Sequence, residues 1–319
     1  MPMTIVTLEA QRLTKRFGAR TAVHELTFTA GQGDIVGLLG PNGAGKTTTI
    51  RLLTTMLSPT SGTFSVAGIP SGRPGEIRGR VGVLPESAGY PAQQTAREYL
   101  RYHARLFGLA RKEAEQVTER LLREVDLDDR GSSRISTFSR GMRQRLGIAR
   151  ALVNGPAVVF LDEPTLGLDP AGQRKVLAIL RDVALRRGAT VVLSTHTLTE
   201  VEEVCSRVLI LDKGRVVTSG TVSEVTRAVA RRRSGQLRVP PELADRARRA
   251  LSSVDGLTVE PVDGRSDLFT VTGDAETTDE RMNAALMAVL RAGVAVLSFE
   301  VDGARLTDAF LAMTTAGAL

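Results

Sequence analysis

Gly40-Pro41-Asn42-Gly43-Ala44-Gly45-Lys46-Thr47-Thr48 is the stretch that decides the fold. It fits the pattern Gly-x4-Gly-Lys-[Ser/Thr], and it stands between an apolar run, DIVGLL (34–39), and a helical pattern, TTTIRLLTTML (47–57). Gly43 and Gly45 permit a compact loop whose backbone N–H groups turn inward onto phosphate oxygens, and the helix that follows adds its positive dipole end. Lys46 is placed to reach the β- and γ-phosphates of a nucleotide, and the Thr47 hydroxyl to meet Mg²⁺. All nine residues, Thr48 included, are candidates for binding ATP.

Outward from this loop, short β-like runs alternate with helical ones, as in AVVFLDEP (157–164), AGQRKVLAILRDVALRRG (171–188) and ATVVLSTH (189–196). Such alternation predicts an α/β domain. Val158–Leu161 and Val191–Leu193 are apolar without a period of two, as expected of parallel strands covered on both faces. The first of them delivers two carboxylates at its carboxyl end, where open α/β sheets bind ligands. Asp162 is the expected Mg²⁺ partner, and Glu163 the group that polarises an attacking water.

Between positions 87 and 140 the pattern turns helical. Thr95 and Glu98 form a Thr-x-x-Glu capping box, and the runs REYLRYHARLFGL (97–109) and EQVTERLLREV (115–125) follow, which predicts an inserted helical subdomain. The nucleotide-binding domain is expected to span 1–220. A basic helical linker is expected over 221–235, opened by Thr221 and Glu224 and finishing at Arg231, Arg232 and Arg233. The tail, 236–319, reads as strand (236–239), helix (241–251), strand (256–262), strand (268–273), helix (279–293) and strand (294–301), an order that predicts a small ferredoxin-like α+β domain. Met282, Leu286, Val289 and Leu290 on one helix, and Leu243, Ala247, Ala250 and Leu251 on the other, form the faces expected to lie on that sheet.

Composition sets outer limits. At 319 residues with 42% apolar content the chain can bury a large core and carry a smaller second domain. No apolar run approaches the ~20 residues that span a bilayer. The mixed-charge start lacks the apolar core of a secretory signal, so a cytoplasmic location is expected. Cys205 has no second cysteine to pair with, in keeping with a reducing compartment and a packing role. The formal charge is +7, carried by 37 arginines and five lysines. Aromatics are only 4% of the chain, which argues against binding single strands by base stacking, so no nucleic acid is expected as a partner.

With these motifs in order, the first 220 residues resemble the ABC ATPase family. FSRGMRQR (138–145) resembles the family's signature, commonly Leu-Ser-Gly-Gly-Gln, and matches at Ser139 and Gly141 while departing at Arg140 and Met142. The resemblance implies that Ser139, Arg140 and Gly141 contact the γ-phosphate of ATP bound to a second subunit, so that ATP binding drives formation of a homodimer or a heterodimer with a related subunit. LGLDP (166–170) resembles the family's D-loop, which puts Asp169 at the dimer interface. His196 resembles the switch histidine that touches the γ-phosphate, and Phe17 stands where the family carries an aromatic that stacks on adenine. In VGVLPES the family's usual Gln is replaced by Glu86, a residue that can serve at the Mg²⁺ site but adds negative charge beside Asp162 and Glu163.

The closing stretch, SFEVDGARLTDAFLAM (298–313), is similar to the end of ATP-binding subunits in drug exporters of the daunorubicin-resistance type, through Leu306, Asp308, Phe310 and Leu311. The function this implies is ATP hydrolysis that powers a separate integral membrane permease, for efflux of a drug, antibiotic or lipid, with the subunit peripheral on the cytoplasmic face of the membrane. Two rivals remain at this level: a soluble ABC ATPase working on nucleic acid or ribosomes, and an importer subunit. The single ATPase unit, the modest helical insertion and the α/β tail weigh against both.

Overall fold

The computed structural model describes residues 5–229, 234–262, 264–273 and 279–302. Two long strands, β1 (Val6–Phe17) and β2 (Arg20–Gly31), lead into β3 (Ile35–Leu39), the glycine-rich loop and α1 (Lys46–Leu53). After β4 (Ser61–Val66), β5 (Ile69–Pro70) and α2 (Pro74–Arg80) comes β6 (Val81–Leu84), and then the helices α3 (Ala96–Leu106), α4 (Arg111–Glu124) and α5 (Arg140–Ala151). The rest of the unit is β7 (Val158–Asp162), α6 (Pro170–Arg187), β8 (Thr190–Thr195), α7 (Leu198–Val204), β9 (Arg207–Asp212) and β10 (Arg215–Thr221).

These strands form two sheets. One is antiparallel, in the order β2-β1-β4-β5, and the other runs β10-β9-β3-β8-β7-β6. In the second sheet β9, β3, β8, β7 and β6 are parallel and only β10 is antiparallel. Chain order and spatial order differ so that the loops after β3, β8, β7 and β6 all emerge at one edge, the edge where α/β sheets bind ligands.

Both faces of the central strands β3, β7 and β8 are covered, which is why these strands do not alternate. Phe160 and Val192 point into a core shared with Leu8, Leu13, Leu26 and Phe28 of the antiparallel sheet. Leu161 and Leu193 point the other way, into a core with Leu146 and Ile148 of α5 and Leu177 and Leu180 of α6. Phe160 is fully buried, and truncating such a ring to Ala typically costs 3–5 kcal/mol.

The capping box of α3 is present as both of its hydrogen bonds: Glu98 N donates to Thr95 Oγ1 (3.2 Å) and Thr95 N to Glu98 Oε2 (2.8 Å). Tyr90, in the loop that links β6 to α3, packs its hydroxyl against α5 at Gly147, where a Cβ would come within 2.4 Å of it. Burial pushes the Tyr90 phenol up to about 12. Cys205 follows α7 and lies against Gly37 of β3, 3.0 Å from where a Cβ there would be, and burial raises its thiol pKa.

The chain divides into two compact units, Met1–Val222 and Ser223–Leu319. The boundary falls at the first residue of α8 (Val222–Val229), and the second unit contains the rest of that helix, β11 (Ser234–Arg238), α9 (Ala244–Ser252), β12 (Leu257–Val262), β13 (Arg265–Gly273), α10 (Asp279–Arg291) and β14 (Ser298–Asp302). Its antiparallel sheet has the order β12-β13-β11-β14, with Ala247 and Leu251 of α9 and Met282, Ala285 and Val289 of α10 buried against Leu237, Phe269 and Val271.

Three expectations change here. The linker is not helical through 235, because β11 already begins at Ser234, and Arg231–Arg233 fall outside the described residues. The last strand starts at Ser298 and not at 294: Gly293 (φ +70°) ends α10, and Val294 N donates back to Val289 O (3.2 Å), so this N–H is spent on closing the helix. Leu290 is exposed, and Ala285 takes its place on the buried face. The pattern at Leu306–Leu311 lies outside the described residues. Among the described residues no helix is long and apolar enough to cross a membrane.

Candidate functional site

The loop after β3 holds its shape through glycines whose positions tolerate no side chain. Gly45 has φ +106°, and a Cβ there would approach Ala22 O to 2.6 Å; at Gly40 a Cβ would lie 2.3 Å from Leu211 O. Lys46 is the first residue of α1 and is 6% exposed. Its ammonium donates to Gly40 O (2.6 Å) and Pro41 O (3.3 Å), and it pairs with Glu163 Oε1 at 3.7 Å. A buried cation is costly unless it is paired in this way.

Strand β7 places Asp162 and Glu163 beside it. The parallel register sets Asp162 opposite Ser194 of β8. Ser194 Oγ donates to Asp162 Oδ1 at 2.5 Å and accepts from Glu163 N at 3.0 Å. From the other side the Thr47 hydroxyl donates to the same Asp162 oxygen (3.2 Å). Glu163 turns out of the strand with φ +50°, a left-handed conformation that costs a non-glycine residue on the order of 1–3 kcal/mol. The turn directs its carboxylate away from the strand axis, where His196 Nδ1 meets Oε2 at 2.9 Å. The two Glu163 oxygens are thus engaged separately, one by Lys46 and one by His196.

A cleft of about 360 Å³ opens over this cluster, lined by Pro41–Thr48, Glu86, Glu163, Leu166 and His196, and by Arg20 and Ala22 of β2. Glu86 reaches it from the end of β6 as an exposed carboxylate. Gly40 and Asp162 stand just behind the lining.

Other residues singled out in the sequence stand apart from the cleft. Ser139 is the N-cap of α5, accepting from Met142 N at 3.2 Å, and Asp169 is the N-cap of α6, accepting from Gly172 N at 3.2 Å. Arg140 and Gly141 open α5, and the Arg140 guanidinium packs against Gly167, 2.6 Å from where a Cβ would be. Phe17 ends β1 as a residue 48% exposed, with Lys15 Nζ over its ring at 5.1 Å. None of these five lines the cleft. No sequence motif marks Ser194, although its register with Asp162 follows once the two strands are paired. Leu166 opens the LGLDP stretch, but nothing in that motif marks it as a cleft residue, and Arg20 belongs to no motif.

Comparison with known proteins identifies the family. The ABC transporter family model matches residues 23–166. The chain is 39% identical over 219 residues to a Nod factor export ATP-binding protein I of Burkholderia lata, covering 68% of this chain and 72% of that one. It is 38% identical over 216 residues to the protein of the same name from Rhizobium meliloti, covering 67% and 64%. Among solved structures, an ATP-binding subunit of an ABC transporter superposes with a TM-score of 0.63 at 34% identity, covering 70% of this chain and 92% of that one. The dimeric cassette MJ0796, in a post-hydrolysis state bound to ADP and Pi, superposes with a TM-score of 0.61 at 23% identity, covering 67% and 98%, a likeness of fold.

Proposed function

The chain belongs to the ATP-binding subunits of ABC transporters and is an ATPase, and from that premise we propose that it drives an exporter through a separate membrane permease, hydrolysing ATP with the residues gathered over the glycine-rich loop. The observation that carries the reading is the chain of contacts Lys46–Glu163–His196, at 3.7 and 2.9 Å, facing a cleft walled by Pro41–Thr48.

Backbone N–H groups from Asn42 to Thr48 and the Lys46 ammonium bind the phosphates. Incoming phosphate oxygens compete with Glu163 for Lys46, and that exchange leaves Glu163 Oε1 able to accept a proton from the attacking water. His196 holds the second oxygen and so fixes the carboxylate's orientation. Magnesium keeps several waters and takes one or two protein oxygens in addition to phosphate. The Thr47 hydroxyl and Asp162 carboxylate, 3.2 Å apart at the foot of the loop, fit that requirement, and Glu86 supplies a further carboxylate on the cleft wall. When bound, the ion neutralises charge on the transferring phosphoryl group.

In this reading Ser139, Arg140 and Gly141 serve the nucleotide of a second subunit. Their place outside the cleft of their own chain, with Ser139 at the N-terminus of α5, suits a site completed in trans. Asp169 lies at the same interface, and Phe17 offers its free ring face to adenine. The dimer is a homodimer or a heterodimer with a related subunit. The domain boundaries follow the two compact units, with the C-terminal α+β unit as an accessory domain. The relatives' names specify export of Nod factor; what is carried over is the direction of transport, with a cargo of the drug, antibiotic or lipid class as in exporters of the daunorubicin-resistance type, and a peripheral position at the cytoplasmic face of the membrane.

The test is Glu163→Gln on purified protein. ATP binding is expected to persist while turnover falls by about 10²–10⁴-fold, the usual contribution of a general base. Near-normal turnover would refute the role of Glu163.

A further inference from the structure

Arg20 belongs to none of the motifs that mark the ATP site, yet it faces the same cleft. It is the first residue of β2 and pairs with Phe17 across the two-residue turn Gly18–Ala19. That turn needs a left-handed backbone at Gly18 (φ +57°), and a side chain there would meet nothing within 4 Å. The hairpin thus brings Arg20 to the cleft, with its guanidinium over the glycine-rich loop. One terminal nitrogen of Arg20 lies 3.9 Å from the position a Cβ at Gly43 would take.

The charges on the cleft wall make this placement informative. Its ionisable lining is Arg20, Lys46, Glu86, Glu163 and His196. Lys46 is already shared among two backbone carbonyls and Glu163. Arg20, among the described residues, forms no ion pair and no side-chain hydrogen bond. An exposed arginine of this kind is ordinarily a solvated surface charge, but here it is, among the described residues, the one uncommitted cation on the wall of a cleft that also carries two carboxylates. Without it, a polyphosphate would enter a site in which acid outweighs base. A guanidinium presents paired N–H donors that match phosphate oxygens.

We propose that Arg20 binds the nucleotide's phosphate chain, at a phosphate that ADP and ATP share. The inference rests on the reading of the cleft as an ATP site. It comes from position: Arg20 descends from the β1–β2 hairpin, whereas Glu163 and His196, which flank the transferred phosphate, rise from the carboxyl ends of β7 and β8. A contact to a phosphate that remains after hydrolysis holds ground state and transition state equally, so it lowers KM and leaves kcat alone.

The experiment measures equilibrium binding of ATP and of ADP, and steady-state ATPase kinetics, for the full chain and for Arg20→Ala and Arg20→Lys. Arg20→Ala is expected to weaken ATP and ADP together by about tenfold, at the scale of one hydrogen bond to a charged group, with KM raised in step and kcat within twofold of the parent. Arg20→Lys recovers part of the loss, because the charge remains while the paired geometry is gone. Unchanged ADP affinity in Arg20→Ala, a loss confined to ATP, or a fall in kcat at constant KM would overturn the proposal. If the parent binds nucleotide and Lys46→Ala abolishes that binding while Arg20→Ala does nothing, the ATP site stands and only the role of Arg20 falls. A parent that binds neither nucleotide would sink both.

Discussion

Replacing Ser194 by Ala removes one oxygen atom on which both site carboxylates depend. The residue is fully buried, donates to Asp162 at 2.5 Å and accepts from Glu163 N at 3.0 Å. Glu163 N keeps a second acceptor, Ser194 O at 3.2 Å, so its loss is partial. Asp162, 4% exposed, is left with Thr47 as its remaining side-chain hydrogen-bond donor among the described residues. A hydrogen bond to a charged group is worth about 1.5–3 kcal/mol. For a unit of roughly 220 residues each kcal/mol moves Tm by about 2–4 °C, giving an expected drop of about 3–12 °C. Asp162 would also lose the partner that orients it, and such supporting contacts at metal sites carry about 10–100-fold in metal affinity or activity. Scanning calorimetry, together with an ATPase titration against Mg²⁺, measures both effects. An unchanged Tm with an unchanged Mg²⁺ midpoint would refute the argument that Ser194 organises the carboxylates.

Glu86→Ala is expected to shift the Mg²⁺ concentration for half-maximal ATPase if Glu86 serves the ion, and an unaltered titration would remove it from the metal site. Gly45→Ala combines φ +106° with a 2.6 Å clash against Ala22 O; it is expected to destabilise by more than about 1 kcal/mol in urea melts and to lose ATP binding. His103 has its pKa lowered, chiefly by burial and secondarily by Arg150. A folded-state pKa below the unfolded value near 6.5 means that stability is complete above that pH and declines as pH falls through it toward the folded value. His103→Gln is expected to flatten the dependence of Tm on pH just below 6.5, and parallel curves for parent and variant would contradict the assignment.

The glycine-rich loop and the β7 carboxylates were legible because each motif came with its flanking element: a strand before the loop and a helix after it, and an unbroken apolar run before Asp162. The βαββαβ order of the tail was legible from its alternating periods. Its last boundary was not, since Val294 and Val296 have strand-like propensity yet follow a helix whose closing hydrogen bond takes the Val294 N–H. Ser194 and Arg20 escaped notice for a different reason. Their roles depend on which strands become neighbours and on where a hairpin folds over the loop, long-range facts that no local pattern encodes. The same holds for the left-handed turn at Glu163, which a carboxylate after an apolar strand does not announce. Ser139 and Asp169 show the converse limit: in a single chain both are helix caps, and any further role requires a second subunit.

That second subunit is the point on which the account turns, and the mass of the Glu163→Gln protein in solution with Mg²⁺–ATP tests it most directly. The expected result is a monomer without nucleotide, a dimer with ATP, and loss of that dimer in the double variant Glu163→Gln/Ser139→Arg while monomer ATP binding persists. A Glu163→Gln protein that binds ATP yet stays monomeric both alone and mixed with a related ATP-binding subunit, or a dimer indifferent to Ser139→Arg, would contradict it.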